Sequence, residues 1–204
     1  MGEEIFEKIY QARSAEAQRE IYDTWSETYD ADVKAQGYAT PARMAAALAG
    51  VMERYDAPIL DFGCGTGLSG AALAGVGFTV IDGVDISEGM MASAGARGVY
   101  RDLRVIPVGE PFSVAPGTYG AIAAVGVIGS GAAPLSVLDD LAACLASGGY
   151  LTFSFNDHTL EDPAYEAWVR GEVDAGRMGL RHRDYDAHLT GLDMKSAVYI
   201  LEKS

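Results

Sequence analysis

The sequence has little cysteine and no long apolar run. Its two cysteines, Cys64 and Cys144, form no Cys-x-x-Cys pair, so neither a disulfide framework nor a zinc site is indicated. No apolar run reaches the length of a membrane span, and the N-terminal Gly2-Glu3-Glu4 is acidic where a signal peptide would be basic. We therefore expect a cytoplasmic protein with no metal and no membrane partner.

Basic residues are also scarce. Fifteen Lys and Arg stand against 29 Asp and Glu, which gives a formal net charge of −14. A protein that binds a phosphate backbone needs a basic footprint, and an acidic chain is repelled by nucleic acids and by anionic membrane surfaces. The charge balance therefore predicts that nucleic acid is not a partner.

The residues that are present are those of an ordinary globular domain, with 49% apolar and 22% charged side chains in 204 residues. Apolar runs that predict strands alternate with segments that predict helices, and two late strands follow each other without a helix between them. This order predicts an α/β fold with a doubly wound parallel sheet and an antiparallel edge.

The most informative stretch runs from residue 59 to residue 87. A short apolar run ends at Asp61, three glycines follow at every second position, a helical segment opens, and a second apolar run ends at Asp85. Strand, glycine turn, helix, strand and acid are the parts of a nucleotide-binding βαβ unit. Glycines let the backbone approach a ligand closely, and an acid after the second strand can accept both hydroxyls of a ribose.

Two ligand classes fit this glycine pattern. Gly65, Gly67 and Gly70 match the dinucleotide-binding fingerprint. Asp85 lies 20 residues after Gly65, at the position where that fingerprint has its acidic residue. Asp61 distinguishes the two classes, because a carboxylate before the turn would repel a pyrophosphate but suit a cationic α-amino group. We therefore favour a cofactor with an amino-acid part over a nicotinamide dinucleotide.

Short motifs are spread along nearly the whole chain, namely Tyr22-Asp23-Thr24-Trp25, Tyr29-Asp30-x-Asp32-Val33, Gly37-Tyr38, Asp61-Phe62-Gly63-Cys64-Gly65-Thr66-Gly67-Leu68-Ser69-Gly70, Gly83-Val84-Asp85-Ile86-Ser87, Gly98-Val99-Tyr100 and Gly148-Gly149. These motifs resemble those of class I S-adenosylmethionine-dependent methyltransferases. Within that class the chain is most similar to the methyltransferase-like family of the Williams–Beuren region and its bacterial relatives. The resemblance is the basis of the expectations that follow. It implies the seven-stranded Rossmann-like methyltransferase sheet and direct in-line methyl transfer from S-adenosylmethionine to an unidentified small molecule.

The resemblance also implies roles for individual residues. Asp85 would bind the ribose, Ile86 the adenine, and the carbonyl of Gly126 would face the methionine part. The expected cofactor site further includes Asp61, Gly63, Cys64, Gly65, Thr66, Gly67, Leu68 and Ser87. Many relatives carry Asp-Leu at the adenine, where this chain has Pro107 and Val108. We therefore expect apolar and backbone contacts there.

Residues 1–40 are expected to form a helical lid over a Rossmann-like domain of residues 41–204. Helical spacing of Ile21, Trp25, Tyr29 and Val33 makes an apolar stripe, which by itself predicts ordinary packing against the domain. In the resembling families this segment covers the cofactor. Tyr29 and Tyr38 are accordingly expected near the methionine carboxylate, and Trp25 in the wall of the acceptor pocket.

The acceptor site is poorly marked in the sequence. His158 follows the fifth strand and is the one candidate general base, although a loop histidine is as often merely exposed. His182 and His188 are expected to be structural. Cys64 stands at a helix N-terminus, a position that can lower a thiol pKa and make the thiol reactive, although a small residue there more often simply fits the turn. A second function stays open, namely a non-catalytic sensor or partner subunit that binds the cofactor. The oligomeric state is open as well.

Overall fold

The computed structural model describes residues 14–129 and 131–204. Seven strands form one sheet, and their bounds are β1 Ile59–Phe62, β2 Ile81–Asp85, β3 Asp102–Val105, β4 Ala121–Ala124, β5 Tyr150–Asn156, β6 Met178–Leu189 and β7 Met194–Lys203. Helices occupy the connections, with α1 Ala15–Trp25, α2 Tyr29–Ala35, α3 Thr40–Val51, α4 Leu68–Gly75, α5 Glu88–Ala96, α6 Val137–Ala143, α7 Asp157–Leu160 and α8 Pro163–Asp174. A short 3₁₀ turn, Thr190–Leu192, joins the last two strands.

The strand order across the sheet is β3-β2-β1-β4-β5-β7-β6. Strands β1 to β5 pair in parallel, and β7 inserts antiparallel between β5 and β6. This arrangement confirms the predicted α/β fold with a seven-stranded, doubly wound sheet and antiparallel late strands. The order reverses between β1 and β4, and open α/β sheets bind ligands in the crevice at that point.

Alternation along the central strands separates two hydrophobic clusters, one on each face of the sheet. Ile59 belongs to the cluster that includes Met44, Leu48 and Leu73 of α3 and α4, whereas Leu60 belongs to the one with α6 and α8. Strands β1 and β4 are buried at every position, as expected for parallel strands covered on both faces. The sheet edge at the carboxyl ends of these strands is therefore rigidly placed.

Helix ends follow local sequence signals. Ser87 caps α5, because its side chain accepts a hydrogen bond from the amide of Met90, and Asp162 caps α8 in the same way. Helix α3 begins at Thr40, after an N-cap residue, Ala39, that makes no side-chain cap. The hydroxyl of Thr40 instead bonds to two side chains of the late strands, one of them Ser196.

The N-terminal segment, which is expected to be helical, contains two helices. The first, α1, ends at Trp25, where the hydroxyl of Ser26 donates to the carbonyl of Asp23, and residues 1–13 of the segment lie outside the described part. Residues 125–127 form a turn directly after β4. Strand β6 has twelve residues and ends at Leu189.

Candidate cofactor and active site

A cavity of about 810 Å³ opens at the carboxyl ends of β1, β2 and β4. Ten of the residues predicted for the cofactor line it, namely Tyr29, Tyr38, Gly63, Cys64, Gly65, Thr66, Leu68, Asp85, Ile86 and Gly126. Its volume lies in the range of small-molecule and cofactor sites. The structure thus brings the glycine turn, the end of β2, the end of β4 and the N-terminal helices to one place.

Asp85 is held in position by the backbone of two turns. One carboxylate oxygen accepts from the amide of Gly65 at 2.8 Å, and the other accepts from the amide of Ser87 at 2.9 Å. Burial raises the pKa of this carboxyl, and the backbone donors partly oppose that change. A carboxylate oxygen has more than one lone pair, so each can still accept from a ligand hydroxyl.

Two glycines at this edge leave room that a side chain would fill. Gly126 has a φ of 70°, and a Cβ atom there would come within 2.7 Å of the Tyr38 hydroxyl. Gly63 has a φ of 67°, and its Cβ would meet Val127 Cγ1 at 2.7 Å. Both positions therefore require glycine, and both leave the backbone bare beside the cavity.

Four predicted cofactor residues do not line this cavity. Gly67 lies beside Arg97 and Tyr100, Ser87 is fully buried as the cap of α5, and Trp25 lines only a smaller cavity described below. Asp61 is 0% exposed, and one of its oxygens accepts from Ser69 at 2.6 Å and from Tyr100 at 2.7 Å.

The position of Asp61 corrects the expectation that it meets the cofactor's amino group. Strand alternation turns its side chain to the same sheet face as Ile59, under α4, rather than into the cavity. Burial raises its pKa to about 6. Its Oδ1 atom has no partner among the described residues, and its Oδ2 atom is held by the hydroxyls of Ser69 in α4 and of Tyr100.

Cys64 also differs from the expectation of a reactive thiol. The side chain is buried, with its sulfur 3.5 Å from Met91 Sδ. Burial raises the thiol pKa well above its usual value, with the carboxylates of Asp61 and Asp85 adding to the rise. Cys64 is therefore a protonated packing residue at the edge of the cavity.

The N-terminal helices are attached to both cofactor turns by carboxylates. Asp30 accepts from the Thr66 hydroxyl at 2.6 Å and pairs with Arg97, whose Nε atom donates to the carbonyl of Thr66 at 2.5 Å. Asp23 accepts from the hydroxyl of Ser87 at 2.5 Å. The sequence motif contains both acids, but their partners lie 36 or more residues away and were not predicted.

Three tyrosines from this segment border the cavity, Tyr22, Tyr29 and Tyr38. Trp25 is buried behind them, edge-on to Tyr29 at 4.6 Å between ring centroids, and its indole donates to Asp32 at 2.7 Å. Tyr22 was not among the predicted site residues, although it belongs to the aromatic motif. The segment therefore presents phenol groups to the cavity and packs its indole inside.

Apolar and backbone groups form the floor where adenine was expected. Ile86 lines the cavity together with Ile106, Pro107, Val108, Gly109, Glu110 and Pro111. No Lys, Arg or His of the described residues lines the cavity, and its charged side chains there are Asp85, Glu110 and Asp140. The lining therefore suits a cationic or neutral ligand better than an anionic one.

The predicted general base lies elsewhere. His158 sits on α7 and does not line either cavity, its Nδ1 atom being 3.6 Å from a carboxylate oxygen of Glu161. His188, which was expected to be structural, lies at the end of β6 with Nδ1 2.8 Å from the Thr40 hydroxyl, and it borders a small cavity beside the large one. His188 comes beside Thr40 only because strands β6 and β7 pair, and the sequence motifs do not reveal this pairing.

Sheet order and cavity together define a Rossmann-like protein that binds a nucleoside-containing cofactor at its topological switch point. A sequence profile of the methyltransferase domain family matches residues 33–188. Because this match spans most of the chain, the protein belongs to that family, the class I S-adenosylmethionine-dependent methyltransferases. S-adenosylmethionine is the cofactor of the family, and the carboxylate-lined cavity and its bare glycine backbone fit a cationic sulfonium.

Methyltransferase-like protein 27 from Homo sapiens is 37% identical over 124 residues, covering 59% of this chain and 51% of that protein. The chain therefore spans about half the length of this curated relative. No helix in residues 14–129 or 131–204 is long and apolar enough to span a membrane.

Solved structures share the fold. Magnesium protoporphyrin IX methyltransferase from Synechocystis PCC 6803, with bound S-adenosylmethionine, matches with a TM-score of 0.60 at 17% identity over 100% of this chain and 92% of that one. The [4+2]-cyclase SpnF matches with a TM-score of 0.67 at 14% identity, over 94% and 97% of the two chains. Geranyl diphosphate methyltransferase matches with a TM-score of 0.62 at 14% identity, over 81% of this chain and 78% of that one. At such identities the likeness concerns the fold alone.

Proposed function

We propose that the protein transfers the methyl group of S-adenosylmethionine directly to a small-molecule acceptor in the 810 Å³ cavity. The observation that carries this proposal is the convergence of the glycine turn, Asp85 and three phenols of the N-terminal segment on one cavity. Two of the solved neighbours are methyltransferases named for small molecules, a magnesium protoporphyrin and geranyl diphosphate. The substrates named for these two enzymes support the acceptor class by analogy.

Each residue has a role in holding the cofactor under this proposal. Asp85 accepts from the ribose hydroxyls, Ile86 with Pro107 and Val108 holds the adenine, and the bare backbone of Gly63 and Gly65 lies along the methionine part. The carbonyl of Gly126 accepts from the amino group. Tyr29 and Tyr38 donate to the carboxylate.

When bound, S-adenosylmethionine would supply an activated methyl carbon that exchanges its bond to sulfur for a bond to the acceptor's lone pair. What the chain contributes is position, since holding two reactants in line is worth up to about 7–11 kcal/mol as effective molarity. The N-terminal segment excludes water from the cavity when it covers the site. Glu110 and Asp140, both in the lining, are the carboxylates able to receive a proton from a protonated acceptor.

Calorimetry with S-adenosylhomocysteine and with NAD tests the cofactor part of the proposal. We expect binding of the former and none of the latter, and the opposite pattern would refute it. Transfer of labelled methyl to the small-molecule fraction of a metabolite extract tests the reaction. Binding without any transfer would instead favour the alternative of a non-catalytic cofactor-binding protein.

A further inference from the structure

A second cavity of about 70 Å³ adjoins the large one. Seven residues border both, namely Tyr22, Tyr29, Tyr38, Gly126, Gly129, Gly131 and Ala132. The other walls of the small cavity are Trp25, Val33, Ile128, Ser154, Asn156, Thr159, His188 and Leu189. The two cavities therefore adjoin along this shared wall.

A buried chain of hydrogen bonds fixes the proton of His188. The guanidinium of Arg43 lies 3.0 Å from Ser196 Oγ, and a guanidinium can only donate. Ser196 and Thr40 are both fully buried, with their hydroxyl oxygens 2.9 Å apart. Either hydroxyl could donate to the other, but only one direction gives both buried hydroxyl protons an acceptor: Ser196 donates to Thr40, and Thr40 donates to His188 Nδ1 at 2.8 Å. His188 Nδ1 is then an acceptor, and the ring carries its proton on Nε2.

His188 stays neutral in this environment. It is 7% exposed, and burial lowers its pKa to about 4, with the nearby charge of Arg43 adding to the effect. Nδ1 is engaged by Thr40, so the ring edge with Nε2 is the polar edge left for the cavity wall. That nitrogen makes no hydrogen bond within the described residues.

Ser154 offers a second donor to the same cavity. Its oxygen accepts from the amide of Gly126 at 3.0 Å, and its own hydroxyl proton has no acceptor among the described residues. The side chain is 3% exposed. Buried donors without acceptors are costly and rare, and a ligand or an ordered water normally satisfies them. Two such donors in one cavity indicate an oxygen atom as the missing partner.

We propose that the small cavity is a subsite for an uncharged, oxygen-bearing group of the methyl acceptor, such as a carbonyl or amide. The Nε2 proton of His188 and the hydroxyl of Ser154 hold its oxygen. The group is uncharged because the charged side chains of the adjoining cavity's described lining are all carboxylates, which repel an anion. A cation is excluded because these two groups donate. This assignment rests on the proposed function.

The test uses the full chain, saturated with S-adenosylhomocysteine, and acetamide as the probe. Long-range ¹H–¹⁵N spectra of the histidine rings should show His188 with its proton on Nε2. Acetamide should shift the His188 ring signals and the amide of Gly126, whereas methylammonium should not. If acetamide causes no shift, the cavity holds water only and the proposal is wrong. The proposal is also wrong if acetamide shifts these signals only when S-adenosylhomocysteine is left out, or if methylammonium shifts them as much as acetamide does.

Variants make the test specific. His188→Phe should weaken acetamide binding, followed at the Gly126 amide, by roughly two- to tenfold, and Ser154→Ala should do so to a similar extent. His188→Gln keeps a side-chain N–H donor and should lose less. Leu180→Ala, at an exposed position of the same strand outside both cavities, is the control and should change nothing. If His188→Phe does not fold, Ser154→Ala alone decides, and an unchanged affinity there refutes the subsite.

Calorimetry on the same samples separates this proposal from the previous one. Failure to bind S-adenosylhomocysteine would refute the proposed function. Binding of S-adenosylhomocysteine without any acetamide response would leave the methyltransferase proposal standing and refute the subsite alone.

Discussion

Single residues at this site act through partners that are distant in the sequence. Asp85 orders two turns at once, because its oxygens accept from the amides of Gly65 and Ser87. His188 depends on Thr40, 148 residues away. A substitution at either position therefore changes a ligand contact and the local structure together, and controls must separate the two effects.

Asp85→Ala should weaken S-adenosylhomocysteine binding by about 1.5–3 kcal/mol or more, since hydrogen bonds to a charged acceptor are lost. Calorimetry measures this change. Asp82→Asn is the matched control, because Asp82 lies on the same strand but pairs with Arg101 away from the cavity. It should lower stability without changing affinity. An unchanged affinity in Asp85→Ala would show that Asp85 does not bind the ribose.

His188 should make the protein less stable in acid. Its pKa is about 4 in the folded chain against an ordinary 6.5, so the unfolded chain takes up a proton first as the pH falls. The stability that neutral His188 permits is present above pH 6.5 and is lost as the pH falls through 4, a loss of about 3 kcal/mol. Urea unfolding of wild type and His188→Gln at pH 7 and pH 4 measures it.

The comparison with His188→Gln is needed because Asp61 changes the pH dependence of the stability in the opposite direction. Its pKa is raised to about 6 from 3.8, so the folded chain takes up that proton first and gains stability as the pH falls from 6 towards 3.8. The two effects oppose each other in the wild type. If the difference between wild type and variant is the same at both pH values, the assignment of His188 as a buried neutral ring is wrong.

At the scale of elements, α1 and α2 form a cover attached to the two cofactor turns. Asp23 links α1 to the turn after β2, and Asp30 links α2 to Thr66 and Arg97 at the glycine turn. The division into a lid of residues 1–40 and a domain of residues 41–204 stays a prediction. Its first 13 residues lie outside the described part.

Ligand binding should order this cover, because the same turns hold the cofactor under the proposed function. We expect S-adenosylhomocysteine to add hydrogen-exchange protection to residues 14–38. In a Trp168→Phe background it should also change the fluorescence of Trp25, the one remaining tryptophan. If both signals stay flat while calorimetry shows binding, the cover is static packing.

Arg97→Ala should loosen the cover and weaken S-adenosylhomocysteine binding by about 1 kcal/mol. The estimate is modest because the ion pair with Asp30 is half exposed, although the bond to the Thr66 carbonyl is lost too. Hydrogen exchange and calorimetry measure the two effects. Arg54→Ala, which removes an exposed pair with Asp56, is the control and should leave both unchanged.

Charge is the property that acts at the scale of the whole molecule. A formal −14 leaves little electrostatic attraction for a polyanion, whose binding depends on neutralising phosphates with Lys and Arg. We expect no binding of RNA or duplex DNA at physiological salt. Fluorescence anisotropy of labelled oligonucleotides at two salt concentrations checks this, and salt-sensitive binding would contradict it.

The sequence by itself determined the β1–turn–α4–β2 unit and its ligand class. Its contacts are local or between adjacent strands, so apolar runs, glycines and Asp85 predict them directly. Tertiary structure decided the rest. Which face Asp61 joins depends on strand alternation relative to α4, and His188 reaches the site only because β7 inserts between β5 and β6, which brings Ser196 and Thr40 beside it. The contacts of Thr40 with His188 and Ser196 join residues 148 and 156 positions apart, and no local pattern encodes them.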